Sequence, residues 1–302
     1  MGIIHSKDKG DDRPFDRILY HYQVERELSD RLRKATGTER KALYATVYDE
    51  LYRLIPDHPK FKEKEKSDLQ RVRVSSQFNL VRRFLRSEST FLEVGAGDCA
   101  LTTEVAKHVM KAFAFDVSQE ITRGIILPAN TSLVISKEGE IPFDRESIDI
   151  TFSSDVMEHL HPEDAYEQLE AIYAALKPSG LYVCHTPNRL TGPWDISKYF
   201  DDVSTCLHLH EYTVRELDGL FKKVGFTRTC YYAEGRGKFI RFPIFIAKII
   251  EYLLEAMPLS VRRLLTRTLL FKALLGANIV GVKKKTDCGT RLISTVFTIF
   301  LW

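Results

Sequence analysis

The run Phe91-Leu92-Glu93-Val94-Gly95-Ala96-Gly97-Asp98 limits the fold more than any other part of the chain. An apolar strand ends at Glu93, two glycines turn the chain, and a helix begins near Cys99 with Leu101, Val105 and Val109 on one face. Glycine is required where backbone passes close to a ligand, because a Cβ would collide there. Phe115-Asp116 ends the following strand. An acid about 20 residues beyond such a turn is placed to accept hydrogen bonds from both hydroxyls of a ribose.

The surrounding pattern agrees with an α/β fold. From Thr90 onward short apolar runs alternate with helical periodicity, the mark of a mostly parallel sheet with helices on both faces. Strands are expected near 90–94, 112–115, 132–135, 148–153, 181–186, 227–233 and 279–284. A helix over 162–177 opens on Pro162, Glu163 and Asp164, which suit the first turn, and stops at Lys177-Pro178-Ser179-Gly180. Thr213 and Glu216 form a capping box ahead of the stripe Leu217, Leu220, Phe221, Val224, and Gly225 closes that helix. Upstream, residues 15–55 read as two helices, and Pro56 and Pro59 end the second. The charged stretch 57–73 reads either as a solvated linker or as a lid near a site. A helix around Ser76–Arg86 leads into the core. The domain reading is a helical extension or lid at 1–74, a core domain at 75–285 with a helical insertion at 237–276, and a tail at 286–302. A chain of 302 residues suits that plan.

Glu93 separates two ligand classes. A dinucleotide enzyme uses its glycines to admit a pyrophosphate at a helix N-terminus, where a preceding carboxylate adds nothing. A cationic amino acid–sulfonium ligand would gain from a carboxylate nearby. Here the chain resembles the class I S-adenosylmethionine-dependent methyltransferases, in particular the broad methyltransferase type 11 group. The resemblance rests on Leu92 to Gly97, Phe115-Asp116, Ile141-Pro142-Phe143 with Ser147-Ile148-Asp149, Ser154 to Leu160, and Leu176 to Gly180, in family order over roughly residues 75–235. It implies a Rossmann-like seven-stranded sheet whose last strand, near Ile279–Val282, is antiparallel. It also implies S-adenosylmethionine as cofactor. Glu93 would orient the methionyl part through the turn, and Gly95, Ala96 and Gly97 would line it. Asp116 would hold the ribose and Val117 would lie beside the adenine. Lys137 and Glu138 would flank the adenine edge, and Asp155 would line the pocket. Three departures stand out: Cys99 in place of a third glycine, Lys137 where the family has an acid, and Lys-Pro-Ser-Gly for Lys-Pro-Gly-Gly.

Methyl transfer to a hydroxyl needs an aligned acceptor and a base. Histidine suits the second role. His185 ends strand five, whose C-terminal end faces the ligand crevice. His208 and His210 sit two apart and in extended chain would share a face. His159 and His161 are further candidates. Asp155, Glu158 and His159 would share one face of a helical turn and form an alternative metal set, which resembles that of the O-methyltransferases of ubiquinone biosynthesis. Packing of the turn is the competing reading, with no metal. The loop Pro187–Ser197 carries Trp194, and Tyr199 and Phe200 follow. An aromatic face beside Asp and Asn suits a sugar ring, and a core-packing tryptophan is the alternative. The implied activity is O-methylation of a sugar, glycan or small hydroxylated metabolite. Alternatives are an inactive cofactor-binding scaffold and an NAD(P)-dependent oxidoreductase.

Composition sets further limits. A net charge of +3 gives no ground for nucleic acid as a partner. The five cysteines, Cys99, Cys184, Cys206, Cys230 and Cys288, have no zinc-ligand spacing and read as free thiols of a reducing, cytoplasmic compartment. No signal peptide is recognised, and Met1-Gly2 to Ser6 matches a short myristoylation pattern that also recurs by chance. Between Ala256 and Thr286 there are basic residues and no acid. A leucine-rich basic segment of this kind makes 239–276 a candidate for peripheral membrane contact, against core cover or a dimer face. The oligomeric state is left open. The apolar tail Leu292–Trp302 is too short to span a bilayer.

Overall fold

A computed structural model describes residues 11–60, 67–136 and 140–285. The myristoylation pattern, Lys137 and Glu138, Cys288 and the apolar tail lie outside the described residues.

The core is one eight-stranded sheet in the order β3-β2-β1-β4-β5-β8-β6-β7. Its strands are β1 (Thr90–Val94), β2 (Lys111–Asp116), β3 (Thr131–Ile135), β4 (Ile148–Ser154), β5 (Leu176–Thr186), β6 (Arg228–Gly235), β7 (Lys238–Phe242) and β8 (Ala277–Val282). The first five pair in parallel, and β8 runs antiparallel between β5 and β6. β1 is buried along its whole length, as a central strand covered on both faces must be. Strand order reverses between β1 and β4, which opens a crevice beyond their C-terminal ends.

Helices cover both faces. In chain order they are α1 (Phe15–Lys34), α2 (Gly37–Leu54), α3 (Ser67–Val81), α4 (Ala100–Val105), the single turn α5 (Gln119–Thr122), α6 (Pro162–Ala175), α7 (Val214–Val224), α8 (Ile244–Glu255), α9 (Leu259–Thr266) and α10 (Leu269–Leu274). Two apolar clusters lie on opposite faces of the sheet, one around Leu169, Tyr182 and Phe221, the other around Leu101, Phe152 and Val183.

Two details differ from the sequence reading. The segment Lys238–Phe242, expected within a helical insertion, is an edge strand paired with β6. Arg236 and Gly237 both take left-handed backbone, at φ 52° and 71°, and make the tight turn that twisted hairpins favour. The sheet therefore has eight strands. The helix expected over 162–177 stops at Ala175, and Leu176 already pairs with Ile148, with a register irregularity between Ile148 and Ile150.

α1 and α2 form a hairpin packed through Val24, Leu28 and Leu32 against Tyr44, Val47 and Leu51, with Leu207 and Leu209 of the loop after β5 in the same cluster. Polar links fasten it to the core. Arg40 of α2 donates to Asp164 of α6 at 2.6 and 3.0 Å, and Tyr44 donates to the same carboxylate at 2.6 Å. All three are buried. Ser118, just past β2, donates to Asp49 at 2.9 Å. The hairpin is thereby held over the crevice.

Candidate active site

The glycine turn is built as backbone chemistry requires. The Gly95 and Ala96 N–H groups donate to the Phe115 carbonyl at 2.9 and 3.0 Å. Gly95 has φ +73°, and a Cβ there would lie 2.3 Å from Val156 Cγ2. Gly97, at φ +52°, donates its N–H to Asp116 Oδ2 at 2.8 Å. Ser118 N–H donates to Asp116 Oδ1 at 2.9 Å. Cys99, in place of the third glycine, keeps the left-handed backbone at φ 54° that explains a glycine there. Asp98 accepts from Ala100 N–H at 3.1 Å at the start of α4, and from Gln70 and Arg73 of α3 at 2.9 and 2.6 Å.

Glu93 stands behind the turn. It is buried, accepts a hydrogen bond from Thr102 of α4, and is absent from the cavity wall. Burial pushes its carboxyl up to about 8, against the Thr102 hydrogen bond. Any influence on a ligand therefore passes through the turn.

A cavity of about 460 Å³ occupies the crevice. Val94, Gly95 and Gly97 form its floor, and Asp116, Val117, Ser118 and Ile141 line one side. Asp155, Val156 and His159 line the other. Burial holds the Asp116 carboxyl above its ordinary range, while N–H donors oppose the shift. The roof is α2, through Lys41, Tyr44, Tyr48 and Tyr52. Tyr48 Oη is buried, has no hydrogen-bond partner, and its ring meets His159 edge-on at 5.7 Å. No motif in the sequence marks this roof as part of a site. Its signal was the recurrence of tyrosine every four residues, which stacks all three on one helical face.

The histidines divide among separate settings. His185, at the end of β5, has Nδ1 2.6 Å from Asn278 Oδ1 and Nε2 3.7 Å from Asp155 Oδ1. Burial pulls its imidazole down, but the Asp155 charge and the Asn278 hydrogen bond outweigh it and hold it above the ordinary value. It reaches the cavity wall only through Asp155. His208 and His210 line a second cavity of about 330 Å³ with Arg189, Arg262 and Glu255. Despite burial, Glu211, Glu158 and Asp195 raise His208 to about 9, so at neutral pH it carries its proton and is a poor base. His210 lies 3.8 Å from Glu216 and 4.5 Å from the Tyr212 ring centroid, bracing the capped start of α7. His161 accepts from Glu163 N–H at 3.4 Å and caps α6.

The metal set Asp155, Glu158, His159 is corrected by the local backbone. Asp155 takes φ 56° and Met157–His159 is a 3-10 turn, so the three do not share an α-helical face. Among the described residues the group that converges is Glu158, His159 and His208. Trp194 is 48% exposed, donates to Thr191 Oγ1 at 2.9 Å, and lines neither cavity. Tyr199 and Phe200 pack with Ile18 and Tyr22 and seat α1.

The family description "Methyltransferase domain" matches residues 65–231, more than half of the chain and the whole of the turn and crevice. The chain belongs to that methyltransferase family. Its fold is that of the class I S-adenosylmethionine-dependent enzymes. No curated protein matches it. Among solved structures, phosphoethanolamine N-methyltransferase 1 of Haemonchus contortus, in complex with phosphoethanolamine and S-adenosylhomocysteine, is similar with a TM-score of 0.53 at 14% identity. That match covers 83% of this chain and 51% of the other. A SAM-dependent methyltransferase from Archaeoglobus fulgidus has a TM-score of 0.49 at 19% identity, covering 74% and 99% of the two chains. The 1,6-didemethyltoxoflavin N1-methyltransferase of Burkholderia thailandensis has 0.49 at 15%, covering 83% and 92%. At these identities the likeness concerns the fold alone.

The Glu93 carboxyl gives this methyltransferase a signature in its pH dependence. Between its ordinary value of 4.5 and about 8, the unfolded chain has lost this proton and the native state has kept it. Stability from this group is therefore complete below about 4.5 and falls as pH rises towards 8. Glu93→Gln should show a shallower fall in Tm over that window. Parallel wild-type and variant Tm curves would clear Glu93 of the effect.

Proposed function

We propose that this methyltransferase transfers the methyl group of S-adenosylmethionine to a hydroxyl oxygen of a sugar or another small hydroxylated metabolite. One observation carries the cofactor half of this reading: a bare glycine floor and a buried aspartate meet in one cavity at the switch point of the sheet. The fit is chemical as well as spatial. Each Asp116 oxygen accepts one backbone N–H and retains a lone pair for a ribose hydroxyl. Val117 and Ile141 offer apolar flanks for adenine. Once bound, the cofactor supplies an already activated methyl group.

The protein then has to align an acceptor and remove its proton. The tyrosine roof offers ring faces and an unpaired hydroxyl, a combination that suits the apolar faces and polar rim of a sugar. His185, backed by Asp155 and Asn278, takes the proton.

Titration calorimetry tests the cofactor. S-adenosylmethionine should bind, and Asp116→Ala should weaken it by about 1.5–3 kcal/mol through lost charge-assisted hydrogen bonds. Binding of NAD without S-adenosylmethionine would favour an oxidoreductase. Cofactor binding without transfer to any acceptor would favour a scaffold. In turnover assays His185→Ala should lose about 10²–10⁴ in rate, while His210→Ala, at a helix brace, should stay within about tenfold. Equal mild losses would remove His185 as the base.

We further propose that α8–α10 rest on an anionic membrane surface in the cytoplasm. α8 is mounted with its polar stripe inward. Glu251 is buried and accepts from Asn188 and from Val214 and Arg215 N–H, while Glu255 meets Arg189 and Arg215. Leu254 and Ile250 pack inward beside Glu251, while Phe245, Ile249, Tyr252 and Leu253 are exposed, as are Leu264, Leu269 and Leu270 on the next two helices. Beyond α8, from Ala256 to Thr286, the chain carries basic residues and no acid. No described helix is long and apolar enough to cross a membrane. Flotation should show binding to phosphatidylglycerol vesicles that weakens with salt and with Leu264→Glu/Leu269→Glu. Unchanged flotation of that variant, or equal binding to neutral vesicles, would reject the contact.

A further inference from the structure

One buried carboxylate and two half-buried imidazoles converge beside the principal cavity. Glu158 is fully buried. Its Oε2 accepts from Thr186 Oγ1 at 2.7 Å, while Oε1 has no hydrogen-bond partner. An unpaired carboxylate oxygen in the interior is costly, so its position calls for a partner. His159 and His208 lie alongside, their rings 4.8 Å apart and nearly perpendicular. One ligating atom from each of the three falls within 4.8 Å of the others.

The outer contacts decide which nitrogens are available. His159 Nδ1 lies 3.1 Å from the Leu207 carbonyl, and His208 Nδ1 lies 2.8 Å from Glu211 Oε1. Both partners can only accept, so both Nδ1 atoms carry the hydrogen. Nε2 of each ring is then the atom left for an ion, and His208, which carries its second proton there at neutral pH, gives that proton up on binding. Histidines that ligate metals are held in this way, with the far N–H given to a carbonyl or carboxylate.

The other histidine–carboxylate cluster provides a contrast. Around Glu25, His21 Nδ1 sits 2.9 Å from Arg13 Nη2, a donor. His21 Nε2 must therefore carry its hydrogen, which it gives to Glu25 at 2.7 Å. His58 Nδ1 likewise accepts from Lys60 N–H at 3.2 Å. That cluster satisfies itself by hydrogen bonds and has no lone pair to spare.

We propose that Glu158, His159 and His208 bind one divalent transition cation of the zinc class through Oε1 and two Nε2 atoms. Two imidazoles and one carboxylate are a borderline-soft donor set, better matched to zinc, cobalt or manganese than to magnesium. Ligand bonds of about 2.0–2.2 Å place tetrahedral ligand atoms about 3.4 Å apart, so the side chains close by about 1 Å around the ion. Glu211, and Asp195, which accepts from the His208 backbone N–H at 3.3 Å, supply further negative charge. His159 lines the principal cavity and His208 the neighbouring one, so the ion sits where the two meet. Three protein ligands leave a coordination position open, and an acceptor hydroxyl held there would ionise more readily. That consequence rests on the proposed methyl transfer; the binding of the ion does not.

The test reads metal directly, on the full chain without cofactor or acceptor. After incubation with Zn²⁺ and desalting, elemental analysis should find about one zinc per chain, and Mg²⁺ should not compete. Glu158→Gln keeps the shape and the Thr186 contact and should lower zinc affinity at least tenfold, as should His208→Asn. His21→Ala should retain the ion. Co²⁺ loaded in place of zinc should give visible bands of a low-symmetry site that vanish in His208→Asn. Near-UV circular dichroism checks that each variant is folded. No zinc on the folded wild type, or full occupancy in both folded site variants, would overturn the proposal. Loss of zinc from His21→Ala alone would do the same by moving the ion to the Glu25 cluster.

Discussion

The structure depends on one close approach. Val156, just beyond β4, presses on Gly95 at the end of β1, where not even a methyl group would fit. The hydrogen bond from Gly97 N–H to Asp116 ties the same turn to β2. Three neighbouring strands thus meet at one bend. The bend leaves a floor without side chains, with a carboxylate at its edge. A polar, buried edge beside bare backbone is what a nucleoside-bearing ligand needs, and the remainder of the fold keeps that bend in register.

Polar groups inside the molecule mostly serve alignment. Arg40, Asp164 and Tyr44 join α2 to α6, and Glu25 with two histidines joins α1 to the segment after α2. Buried ion pairs add little net stability over apolar packing, yet losing one partner is expensive. They therefore discriminate strongly between the docked helical hairpin and any displaced arrangement. The roof of the cavity is positioned by those contacts, which brings Tyr48 against His159.

α8 inverts the usual rule for a surface helix. Its carboxylates cap α7 and hold arginines, and four of its large apolar groups, Phe245, Ile249, Tyr252 and Leu253, are exposed. A hydrophobic stripe in sequence is ordinarily assigned to the core. Here the positive end of α7 competes for Glu251, and a carboxylate satisfied by backbone N–H groups is better buried than left in water. The same composition could not have told which side would face the protein.

The sequence alone determined seven of the eight strands, the glycine turn and the place of Asp116 at the end of β2. Each depends on local chemistry: apolar periodicity, the conformations open to glycine, and the spacing from strand to strand. Capping at Thr213 and the short helix starting at Pro162 were legible for the same reason. Tertiary structure decided the rest. Asp155 left the Glu158–His159 group because its left-handed backbone and a 3-10 turn broke the helical spacing, and His208 entered it from a loop about 50 residues away along the chain. Tyr48 and Lys41 became cavity wall because a separate hairpin docked there. Side chains brought together by docking share no spacing in the chain, and only packing and burial select which of them meet.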